Sequence, residues 1–157
     1  MRLLIRPRNI QEAERFQEIL RKKVRISPLK TPKLIAGVDA AYTDDKVIGA
    51  ACLYAFPDLT LIQEASAVAV ITFPYVSGFL SFREGPAIVK AVQRLRRKPD
   101  LIFVDGQGIA HPKGIGIASH IGVLLGTSTV GCAKSLLLGE YRKPGSRKGD
   151  WSPLLLD

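Results

Sequence analysis

Acidic residues and cysteine are both scarce in this 157-residue chain, and long apolar runs are missing altogether. Asp and Glu total 14 against 23 Lys and Arg, which leaves a formal charge of +9. A balance that basic favours polyanionic partners such as nucleic acid, although a solubilising surface would carry the same charge. The two cysteines, Cys52 and Cys132, lie too far apart in sequence to form a metal or redox pair. Both sit among apolar, strand-like residues and read as small core residues. Free thiols suit a reducing cytoplasm, and a single disulfide stays open as the alternative. No apolar stretch approaches the ~20 residues needed to cross a bilayer. The start, Met1–Arg8, has too short an apolar stretch for a signal peptide. A soluble, cytoplasmic protein with no membrane partner is therefore expected. The length fits one domain over residues 1–157, large enough to bury roughly 68–70% of its unfolded surface.

Asn9, followed three residues later by Glu12, has the form of a capping box and predicts a helix to about Lys23. Ala13, Phe16, Leu20 and Val24 give that helix one buried stripe. Pro28 and Pro32 break it. Three strands are then expected, over residues 33–42, 47–54 and 60–71, joined by polar and Pro-containing turns as an antiparallel meander. Pro86 suits the first turn of a second helix, which buries Ile88, Val92 and Leu95. The basic cluster Arg94, Arg96, Arg97 and Lys98 would favour that helix's C-terminal dipole. Leu101–Val104 is a uniform apolar run, the mark of a parallel strand buried on both faces. A glycine-rich loop from Gly106 to Gly116 leads to a short helix over residues 117–125, and residues 128–133 read as a fifth strand. The fold class is α/β, a mixed sheet in which strands 1–3 are antiparallel and later strands parallel, flanked by helices. Ribonuclease H-like folds have this order, and other α+β topologies also permit it.

Three carboxylates stand out. Asp39 interrupts the first strand, on the face shared with Ile35, Gly37 and Ala41. An acid there is costly unless paired, hydrogen-bonded or bound to metal. Asp105 ends the fourth strand at its C-terminal edge, where ligands of open α/β sheets bind. Glu84 is placed just before the second helix. Together they could hold a hard divalent cation through oxygen ligands, which in phosphodiester hydrolysis activates water and neutralises charge on the phosphate. Each acid also has a plain structural role open to it: Asp39 as a hydrogen-bonded core acid, Asp105 as a turn former, Glu84 as a first-turn helix acid.

The stretch Asp105-Gly-Gln-Gly-Ile-Ala-His-Pro-Lys-Gly-Ile-Gly-Ile-Ala-Ser-His120 closely resembles the central motif of the endonuclease V family. Gly37–Tyr42, Pro74–Pro86 and Gly131–Ser135 resemble three further motifs of that family, in the same order. The resemblance implies a ribonuclease H-like nuclease that repairs deaminated adenine by cutting the second phosphodiester bond 3′ to inosine, without removing the base. It implies Mg2+ as cofactor, with Mn2+ as a substitute, held by Asp39, Glu84 and Asp105. Lys134 matches the family's active-site lysine and could stabilise a developing oxyanion or orient water; an ordinary solvated lysine is the alternative. His111 matches a histidine near the active site, a catalytic candidate that could contact phosphate or metal-bound water, while a lone loop histidine can also be a structural hydrogen-bonder. Pro74, Tyr75, Val76 and Ser77 match a wedge that fills the gap when a lesion base leaves the stack. Ser77 replaces the second proline of many members. Without the motif, Tyr75 would read as a half-buried aromatic. Gly78, Leu80, Gly106, Gly116 and Ile117 match the lining of a hypoxanthine pocket, where glycines let main-chain groups approach a base edge. His120, facing out of the short helix, stays ambiguous, with helix packing the preferred reading.

Members of the family usually continue beyond the point where this chain stops, at Asp157, so a C-terminally short domain is expected, with Leu154–Leu156 as an unpaired apolar stub. Two readings follow. One is a metal-dependent endonuclease, expected as a monomer on inosine-containing DNA or RNA. The other is a catalytically weak or inactive module that still binds hypoxanthine.

Overall fold

The computed structural model describes residues 6–156 and opens with helix α1 (Ile10–Arg21). Met1–Ile5, on which most of the signal-peptide expectation falls, and Asp157 lie outside the described residues. Asn9 caps α1, its side-chain oxygen accepting from Glu12 N at 2.8 Å. The return half of the capping box is displaced by one residue, because Glu12 accepts from Arg8 N. The buried stripe is Ala13, Gln17 and Leu20, so a glutamine occupies a position on the stripe that the apolar pattern passes over.

Strands β1 (Leu34–Tyr42), β2 (Lys46–Ala55) and β3 (Thr60–Val70) form the expected meander. Strands β4 (Leu101–Asp105) and β5 (Ser128–Cys132) add in parallel on the other side of β1, giving a five-stranded sheet of order β3-β2-β1-β4-β5. The Asp100 carboxylate ties the start of β4 to that of β1, accepting from Lys33 N and Leu34 N at 2.8 and 2.9 Å. The parallel register ends with Val38 opposite Val104, so Asp39 and Asp105 are the next residues of two adjacent strands.

Helices α2 (Leu80–Gln93) and α3 (Ile117–Leu125) pack on the same side of the sheet, over Ala36, Val38, Ala51, Ile102 and Val104. The opposite face is more open among the described residues. Phe103 is 37% exposed there, so β4 is not buried on both faces as its uniform apolar run suggests. Cys132 is likewise exposed and Cys52 half-buried, both as free thiols rather than core residues.

Helix α2 begins six residues before Pro86, not at it. Phe82 packs with Phe73, Phe79 and His120, and this cluster holds the first turn helical. Pro86 is thus accepted inside a helix, at the loss of one main-chain bond, because tertiary burial outweighs the local signal. Part of the basic cluster after α2 ties elements together: Arg94 donates to Ser66 O, and Lys98 to Gly126 O at the C-cap of α3. Leu154–Leu155 is not an unpaired stub. It forms β7 and pairs antiparallel with β6 (Glu140–Tyr141). No described helix is long and apolar enough to cross a membrane.

Candidate active site

The parallel pairing of β1 with β4 brings Asp39, within β1, and Asp105, at the end of β4, side by side on the face away from α2 and α3. Glu84 reaches the same edge from within α2, so it is a helix-interior residue and not the acid that precedes or opens the helix. The Tyr42 hydroxyl, at the end of β1, donates to Glu84 Oε1 at 2.7 Å. Burial pushes the Glu84 carboxyl above its ordinary value, the Tyr42 bond opposes this, and repulsion from Asp39 and then Asp105 adds to it. Glu84 therefore lies within electrostatic reach of both other acids. Burial and the bond to Glu84 push the Tyr42 phenol up, so it stays a protonated donor. Arg83 stacks its guanidinium over the Tyr42 ring at 4.9 Å and donates to Phe73 O.

Lys134, just past β5, seats its ammonium on Asp105 Oδ2 at 2.5 Å. That bond, with the charges of Asp105 and then Asp39, raises the lysine pKa. Gln107 supports this arrangement by donating to Ser135 O at 2.9 Å, which joins the glycine-rich loop to the segment bearing Lys134. As the side chains stand, no three His, Cys, Asp or Glu groups among the described residues close into a metal cage. The donor set nevertheless fits a hard cation: all oxygen, mutually repelling, and already drawing in one ammonium.

Beside the acids lies a cavity of about 310 Å3. Tyr75, Val76, Ser77, Gly78, Leu80, Gly106, Gly116 and Ile117 all line it, together with Asp105, His111 and Lys134. Of the residues matched to recognition, only Pro74 does not. Ser81, Gln107, Ile115, Ala133, Ser135 and Leu137 complete the wall and were not singled out from the sequence. Tyr75 stands at the rim 78% exposed, not half-buried. Gly116 lets the loop fold back on itself: Gly116 N bonds Gly108 O at 2.7 Å, and a Cβ there would strike the main chain of Gln107. Gly78 has φ +81°, a conformation that other residues rarely adopt.

His111 is 6% exposed, and both its ring nitrogens are engaged. Lys113 N donates to Nδ1 at 3.1 Å, so Nδ1 carries no proton. Nε2 lies 3.1 Å from Gly78 O, which can only accept, so Nε2 is the protonated nitrogen. The neutral form is thereby fixed, and burial lowers the imidazole pKa. Both ring nitrogens are thus engaged within the chain, which ties His111 to the cavity wall. His120 does not face out of α3. It is fully buried, with Nδ1 2.8 Å from Ser81 Oγ and its ring edge-on to Phe82.

Among the residues that sequence reasoning passed over, Tyr42, Arg83 and Gln107 hold the functional side chains. All three lie inside the family-like motifs, whereas Gln17 gives a different signal as a polar residue on an apolar helix stripe.

A family model described as Endonuclease V matches residues 18–157. Endonuclease V of Geotalea uraniireducens is 48% identical over 150 residues, covering 95% of this chain and 64% of that protein. Endonuclease V of Dictyoglomus turgidum is 44% identical over 145 residues, covering 92% of this chain and again 64% of its own length. This chain thus spans about 64% of the length of these curated relatives. The crystal structure of Endonuclease V from Streptomyces avermitilis superposes with a TM-score of 0.90 at 42% identity, covering 95% of this chain and 68% of that one. Ciona intestinalis Endonuclease V, solved with a 24mer DNA containing an inosine followed by a ribo-adenosine, gives 0.75 at 30% identity, covering 82% and 58%. With matching architecture, ordered motifs and a family model that spans nearly its whole length, the chain belongs to the endonuclease V family.

Proposed function

We propose that this protein is a divalent-metal-dependent endonuclease that recognises a hypoxanthine base and cuts the second phosphodiester bond 3′ to it. The observation that carries the reading is the juxtaposition of three mutually repelling carboxylates and an ammonium with a base-sized cavity. The relative from Ciona intestinalis, crystallised on inosine-containing DNA, points to the same substrate class.

Asp39, Glu84 and Asp105 would hold Mg2+, or Mn2+ in its place, with Glu84 turned from Tyr42 and Asp105 from Lys134. The bound cation supplies charge neutralisation at the phosphate and a more acidic water. Lys134, released from Asp105, would offer its ammonium to the oxyanion that develops during cleavage. The cavity excludes water from the extruded base, and Gly78, Gly106 and Gly116 let main-chain groups meet its edge. Tyr75 would fill the space the base leaves. The +9 charge attracts the phosphate backbone without regard to sequence. A monomer meets these needs.

The test is incubation with inosine-containing DNA and RNA strands, with chelator, Mg2+ or Mn2+, and mapping of the nick. A cut at the second bond 3′ to inosine, only with metal, is expected. Inosine-selective binding without a nick under any metal would establish the alternative, a hypoxanthine-binding module. Equal treatment of inosine-containing and undamaged strands would refute both.

A further inference from the structure

Gln17 lies on α1 and is 1% exposed. Its Nε2 donates to Gly78 O at 2.7 Å across 61 residues of sequence. The carbonyl can only accept, so the amide nitrogen must face it, and Gln17 Oε1 is left buried with no hydrogen-bond partner among the described residues. An apolar side chain of similar length would fill this position without that desolvation cost. Glutamine here does something that packing does not require.

Its target explains what. Gly78 lines the cavity and has a positive φ, so its peptide plane has the widest choice of orientations in the loop. Gln17 and His111 both donate to its carbonyl, one from α1 and one from the glycine-rich loop. Two donors on one oxygen fix that plane, and with it the turn joining the Tyr75 segment to α2. One helical turn earlier, Glu14 pairs with Lys113 at 3.4 Å, so α1 grips both loops of the cavity.

We propose that Gln17 is a positioning residue for base recognition, setting the wall of the cavity and the reach of Tyr75 through the Gly78 carbonyl. This rests on the cavity's being the hypoxanthine site. The proposal makes stability and recognition move apart in Gln17→Met, which keeps the side-chain length and removes both the donor and the unpaired acceptor.

The experiment compares wild type and Gln17→Met in three ways. The variant should melt at the same temperature or higher, while losing about 10-fold in affinity for an inosine-containing strand, as expected for one hydrogen bond. Binding to the undamaged strand and turnover at saturating substrate should each stay within about twofold, so the loss appears in KM rather than kcat. Hydrogen exchange over residues 74–79 should quicken while β2 stays protected. Unchanged preference for inosine overturns the proposal, as does a loss that only tracks a lower melting temperature. A wild-type chain with no inosine preference would refute the substrate reading instead. The exchange comparison would still decide on Gln17, because equal exchange over 74–79 in both proteins denies it any hold on the loop.

Discussion

Replacing Tyr42 by phenylalanine isolates the bond that steadies the half-buried acid of the site. The ring stays, and with it the Arg83 stack at 4.9 Å, so only the 2.7 Å bond to Glu84 Oε1 is lost. A bond to a charged acceptor is worth ~1.5–3 kcal/mol. Tyr42 is 43% exposed, so water competes and about 1–2 kcal/mol is the better figure. For a chain of this size that is a drop of about 2–8 °C in Tm.

The pH dependence carries the sharper signal. The folded Glu84 carboxyl already stands above its ordinary 4.5, and Tyr42 opposes that shift. Removing the donor raises the folded value further, so the variant loses stability wherever Glu84 is ionised. The loss is full at pH 8 and fades as pH falls through the raised folded value, where both proteins carry a protonated Glu84. Thermal melts without divalent metal, at pH 8 and stepwise downward, measure it. In a Glu84→Gln background the same Tyr42→Phe change should cost only a neutral bond, ~0.5–1.5 kcal/mol. A pH-independent cost, or the same cost in both backgrounds, would show that Tyr42 stabilises by packing and does not act on Glu84.

Asp39→Ala and Asp105→Ala should each abolish metal-dependent cleavage while leaving inosine-strand binding largely intact; single-turnover assays beside binding titrations check this. Tyr75→Ala should leave Tm unchanged, because the ring is exposed, yet lose ~1–3 kcal/mol of preference for inosine-containing strands, read by competition binding. His111 has its folded pKa below 6.5, so as pH falls through that value the unfolded chain takes up the proton and stability is lost. His111→Gln should flatten this slope by up to ~1.4 kcal/mol per pH unit, seen in denaturant melts from pH 7.5 to 5.5.

Period-2 alternation and turn residues were enough to place the meander and to put Asp39 on the face with Gly37, because strand geometry alternates without regard to context. The four motifs located the cavity for the same kind of reason: their glycines and acids are needed locally. What the sequence hid was set by contacts between distant segments. Pro86 looks like a helix start, and only the packing of Phe82 against Phe73 and His120 reveals that α2 begins at Leu80. The apolar run before Asp105 cannot say which face a helix covers, so the exposure of Phe103 was illegible. The tautomer of His111 was illegible too, since it is decided by bonds to Lys113 and Gly78. Gln17 was the nearest miss, a polar letter inside an apolar stripe.

The alignment of β1 with β4 has a mechanical consequence. Asp39 and Asp105 are spaced by the main-chain ladder, whose strands lie ~4.8 Å apart, and their alignment is clamped at the far end by Asp100. Loop motion cannot stretch that interval, and a one-residue slip would swing an acid to the helix side. Tyr75 and Lys134, by contrast, stand outside any strand or helix. The spacing of the two acids is thus set by the sheet itself, whereas Tyr75 and Lys134 depend on side-chain and loop contacts for their positions.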